Sequence, residues 1–138
     1  MCLVVTSKMG SDAHNIAQHP IKVYKIMKKY NDCYFFPIRP GSVAIGKTVY
    51  AKTKSEPFRK HIYDPRLVKI YVEGEGVHAY VSLPAARNSW FGGNVITEWE
   101  IPKGTKYWVG DFRGEIAATQ MKFIREVEPR VEPEEDIF

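Results

Sequence analysis

The stretch Gly76-Val77-His78-Ala79-Tyr80-Val81-Ser82-Leu83-Pro84-Ala85-Ala86-Arg87-Asn88 sets the kind of structure the rest of the chain must build. A glycine introduces a strand that ends at Ser82. The Ser82 hydroxyl can accept from the free N–H groups of a first helical turn, and Pro84 stands where its missing N–H does little harm. The order strand, cap, short helix frames a pocket beside the strand's end.

Downstream, Trp90-Phe91-Gly92-Gly93-Asn94 reads as a loop with an aromatic tip, and Val95 to Ile101 alternates. Val95, Thr97, Trp99 and Ile101 fall on one face, Ile96, Glu98 and Glu100 on the other. Two carboxylates thus share a strand face, which otherwise reads as a polar face turned to water. Pro102-Lys103-Gly104 makes a turn, Lys106 to Val109 a strand and Gly110 to Gly114 a loop. Ala117 to Gln120 reads as a small-residue linker, and Met121 to Val127 as a last strand before Pro129 and Pro133.

Upstream, Leu67 to Val72 is β-rich and could pair with Val77 to Val81 as a hairpin. Tyr50 to Asp64 reads as irregular and basic, and Val43 to Val49 as a short strand interrupted at Gly46. Ile21 to Met27 alternates as a strand, Lys28 to Asp32 is a charged turn, and the first six residues are a lead-in strand. The expected fold class is α+β and β-rich, a compact bent sheet core with short helices.

With 138 residues, 44% of them hydrophobic, the chain suffices for one packed core. The expected organisation is a single globular domain over 1–128 and an acidic, proline-containing tail over 129–138. Residues 129–138 hold one arginine against four acids, so a chain of net charge +4 has a body of +7. That asymmetry fits a tail that folds back on its own basic body or docks on a neighbour. The two cysteines, Cys2 and Cys33, have no metal-type spacing and make no disulfide framework. No leader pattern or membrane-length apolar run is present, so the expectation is a soluble cytoplasmic protein without a membrane role.

Three pieces in order resemble the ADP-ribosyltransferase superfamily. They are the strand Val23-Tyr24-Lys25, the pair Gly76-Val77-His78 and Ala85-Ala86-Arg87, and the run Glu98-Trp99-Glu100-Ile101-Pro102-Lys103-Gly104-Thr105-Lys106-Tyr107. The resemblance implies an ADP-ribosyltransferase-like fold, with NAD held by Lys25, His78 and Tyr80 and with Glu98 or Glu100 as the catalytic carboxylate. A carboxylate there would stabilise the oxocarbenium-like charge formed as the bond to nicotinamide breaks. The chain departs from that pattern at several positions. Lys25 stands where the family has arginine or histidine and lacks arginine's planar fork, His78 stands where a tyrosine is usual, and Ile96 lies two residues before Glu98. The chain looks still more similar to small proteins of gut bacteria and their phages that share Gly-x-His and the Ile-Pro-Lys-Gly turn. That likeness implies a bacterial or phage origin, with a virion location if phage-encoded, and carries no activity.

Each residue also has a plainer reading. His78, of a type that titrates near neutrality, is more often half-buried and hydrogen-bonded, and Lys25 more often pairs with a glutamate across strands. The basic, aromatic stretch Tyr50 to Tyr63 and the cluster Lys25, Lys28, Lys29 and Tyr30 would suit a nucleic acid. Taken together, the residues favour a non-enzymatic binding or interaction protein with a protein partner or self-association and no cofactor or metal. The alternative is an NAD-dependent transferase or glycohydrolase.

Overall fold

The computed structural model describes residues 3–8, 14–37, 41–51, 58–64, 67–72, 77–89, 92–111 and 113–130. The strands in chain order are β1 (Leu3–Lys8), β2 (Asn15–Ile16), β3 (Ile21–Tyr30), β4 (Cys33–Phe35), β5 (Ser42–Val43), β6 (Thr48–Tyr50), β7 (Phe58–Asp64) and β8 (Leu67–Val72). They continue with β9 (Val77–Tyr80), β10 (Val95–Ile101), β11 (Lys106–Val109), β12 (Glu115–Ala118) and β13 (Gln120–Pro129), and one helix, α1 (Leu83–Arg87), comes after β9. The fold is β-rich and its paired strands are antiparallel. The several short helices expected reduce to one of five residues among those described, because apolar residues elsewhere recur at spacing two.

The large sheet runs β2-β11-β12-β9-β3-β10-β13-β6, and β1-β8-β7 forms a separate three-stranded sheet. Inside the large sheet β10 lies between β3 and β13, and six of its seven residues are buried. The expected polar face of this strand is therefore covered, contrary to its sequence pattern. Val95, Trp99 and Ile101 join one core cluster, while Ile96 joins a second with Ile26, Tyr80 and Ala86 of the helix. We call these the aromatic face and the helix face.

The aromatic face is closed by the sheet itself. Two register shifts between β10 and β13 add residues to one strand and bend the pair. The hairpin of β3 and β4 turns at Asn31 and Asp32, both at positive φ as a two-residue turn matched to strand twist requires. Tyr34 then meets Phe123 edge-on at 5.0 Å, Phe36 lies 6.2 Å from Trp99, and Trp99 stacks on Phe123 at 4.8 Å. Such pairs contribute about 0.5–1.5 kcal/mol each beyond area burial.

The helix face is covered by α1, which forms as its sequence predicts: Ser82 Oγ accepts from the Ala85 N–H, and Pro84 sits in the first turn. A bidentate pair from Arg87 to Glu128, at 2.6 and 2.9 Å, ties the helix to β13.

Several local expectations are corrected. Strand β8 pairs with β1 and β7, and β9 with β12 and β3, so no hairpin joins β8 to β9. Residues 58–64 are a strand, paired with the next strand in the chain, β8, and Glu115–Ala118 is a strand held between β9 and β11. The 43–49 stretch divides into β5 and β6 around Gly46 at φ 90°, and β3 runs on through Tyr30. The aromatic tip, Trp90 and Phe91, and the tail beyond Arg130 lie outside the described residues.

Candidate functional site

Lys25 stands across from Thr97 in the ladder of β3 and β10, and Tyr24 across from Glu98. Paired residues share a face and neighbours along a strand alternate, so Lys25 lies on the aromatic face and Glu98 on the helix face. The Lys25 ammonium donates to the main-chain carbonyl of His78 and lies 5.7 Å from the ring centres of both Phe36 and Trp99. A cation over two aromatic faces with a carbonyl acceptor is held by the fold. The residue across the ladder from Lys25 is Thr97 and not a glutamate, since Glu98 and Glu100 are on the far side of the sheet. Thr97 completes a polar chain on the aromatic face, accepting from Trp99 Nε1 at 2.8 Å and donating to the Lys25 carbonyl at 2.9 Å.

The helix face brings together a row that crosses five strands. Arg125, Glu98, Tyr24, Tyr80 and Glu115 stand in register on β13, β10, β3, β9 and β12. Glu98 is 6% exposed. One of its carboxylate oxygens lies 3.2 Å from Arg125 Nη2 and 3.7 Å from Lys22 Nζ, whose side chains are 58% and 63% exposed. Two cations from the flanking strands thus close over a buried acid. Glu100 is half-buried and stands in register with Lys22 and Lys122.

His78 alternates with Val77 and Ala79 of the aromatic core, which puts its half-buried ring on the helix face with Tyr80. Lys25 therefore meets His78 through the main chain, not through the imidazole. Tyr80 is buried, shares a 2.7 Å hydrogen bond with Ser89 Oγ, and has its phenol pushed above the usual range by burial. Beside it, Glu115 is 9% exposed and burial raises its carboxyl above the usual carboxylate range. With strands about 5 Å apart, Glu98 and Glu115 stand about 15 Å from each other, beyond the separation at which two carboxyls share one glycosidic bond.

Sequence reasoning did not single out Lys22, Arg125, Glu115, Ser89 or Arg130. The last donates to the carbonyls of Ser89 and, at 3.3 Å, Gly93, closing the loop after α1 onto β13. A lone arginine or glutamate on an alternating strand gives no sign of its partner 27 residues away.

A shallow groove of about 560 Å³ lies elsewhere, between Phe36, Val43, Lys47 and Val49, and includes none of the candidate residues. Among the described residues no group of three or more His, Cys, Asp or Glu could hold a metal ion, and no helix is long and apolar enough to cross a membrane. No protein-family model, curated protein or solved structure matches the chain.

Proposed function

We propose that this chain is a small non-enzymatic binding or interaction protein that acts through contact with a protein partner or with another copy of itself. The observation that carries this reading is the division of the chemistry-bearing residues between two faces. The alternative, an ADP-ribosyltransferase-like fold that cleaves NAD, needs Lys25, His78 and a glutamate to converge on one cleft. Lys25 is instead engaged on the aromatic face, and Glu98 is closed off by Arg125 and Lys22 on the other. A carboxylate between two cations is poorly placed to stabilise a developing positive charge on a ligand.

The test is a calorimetric titration with NAD, with nicotinamide release followed in parallel for wild type and for Glu98→Ala and Glu100→Ala. The expected result is no binding heat and no nicotinamide. Release that disappears with either substitution would overturn the proposal and restore the transferase reading.

A further inference from the structure

The hairpin of β3 and β4 continues the helix face beyond the core. Lys28 stands across from Phe35 and Tyr30 across from Cys33. All four are exposed, Tyr30 by 72% and Phe35 by 38%. Lys28 and Tyr30 continue from Ile26, which is buried against the helix, at spacing two, so with their cross-strand partners they lie on the same side of the sheet. The other side of the hairpin is turned inward, with Tyr34 on Phe123 and Lys29 Nζ 3.1 Å from Glu126. The outer side thus presents two aromatic rings and one lysine.

The last described residue lies at the root of this hairpin. The Arg130 N–H donates to the Asn94 carbonyl at 2.8 Å. The Asn94 side chain in turn accepts from the Lys29 N–H at 2.7 Å and donates to the Lys29 carbonyl at 3.0 Å. The Arg130 guanidinium is fastened to Ser89 on the helix side, the side that carries Lys28, Tyr30, Cys33 and Phe35. Beyond Arg130 the chain reads Val131-Glu132-Pro133-Glu134-Glu135-Asp136-Ile137-Phe138, with four acids and then an apolar pair. Eight residues can span at most about 29 Å, whereas the hairpin face extends about 7 Å from Lys28 to Tyr30.

We propose that the outer face of the β3–β4 hairpin is a docking surface for residues 131–138 of the same chain, with the acids passing Lys28 and the pair Ile137 and Phe138 covering Tyr30 and Phe35. Origin, reach and order of residues all favour this occupant. Lys28 is the cation on this face, since Lys29 is committed to Glu126, and Asp32 at the turn opposes the acids. The apolar pair therefore supplies the anchor and the charge sets the direction. This goes beyond the binding-protein reading and does not depend on it.

Cys33 is an exposed free thiol on the face and reports its cover. The experiment uses the full chain with Cys2→Ser, so that iodoacetamide, an uncharged reagent, reads Cys33 alone. Ile137→Ser with Phe138→Ser should speed alkylation about threefold or more, as for a face closed two-thirds of the time, and Lys28→Glu should act in the same direction. Lys28 is exposed, and an unchanged melting temperature of each variant confirms that the fold is intact. Equal rates in all variants would overturn the proposal. So would protection that is lost on dilution, which would assign the face to a second copy.

Discussion

Lys25 and Glu98 sit on neighbouring strands one step out of register, so their side chains leave opposite faces of the sheet. Everything proposed about this protein's chemistry turns on that step. On one side a lysine is fitted between aromatic rings, and on the other a buried acid is capped by two cations.

Glu98 should behave as a structural residue. Replacing it by alanine should cost about 1 kcal/mol, because Lys22 and Arg125 are largely exposed and can return to water. Glu100→Ala, at a half-buried position, should cost less. Urea denaturation of the two variants checks the order, and a more damaging Glu100→Ala would contradict the placement of Glu98 beneath the two cations.

Gly93→Ala, at a buried position in the loop after α1, should be among the most destabilising loop substitutions. A Cβ there would collide with Ile26 Cγ2 and come within 2.8 Å of the Met27 carbonyl oxygen, and a strand backbone cannot give way as a flexible side chain can. The expected loss is about 1–3 kcal/mol, read as a lower thermal midpoint. A neutral result would mean that the loop after α1 does not pack on β3.

The parts of this fold that were legible in the sequence are those governed by neighbours along the chain. Ser82 and Pro84 gave the start of α1, and alternation over 95–101 gave the bounds of β10. The same alternation misread Glu98, since burial of that face depends on α1, Tyr24 and Arg125 arriving from elsewhere. Glu115–Ala118 has little intrinsic preference for extended structure, and becomes a strand because β9 and β11 flank it. The row from Arg125 to Glu115 joins five strands that are not consecutive in the chain, so no local pattern could announce it.

Glu115 gives stability a definite pH dependence. Burial raises its folded pKa above the unfolded value of about 4.3. Between the two values the folded state holds more protons than the unfolded state, so stability falls as pH rises through that window. Glu115→Gln should remove this component, giving a higher melting temperature than wild type at neutral pH and a difference that shrinks toward acid pH. A difference that instead grows on acidification would reverse the sign.

The most direct test of the two-face arrangement is a pair of double-mutant cycles on folding stability, one for Glu98→Gln with Arg125→Gln and one for Glu98→Gln with Lys25→Met. The first pair is in contact across two strands and should show coupling of about 0.5–1 kcal/mol, while the second should add within about 0.5 kcal/mol. Coupling of Glu98 to Lys25 that exceeds its coupling to Arg125 would put the lysine and the acid in one site and contradict the account.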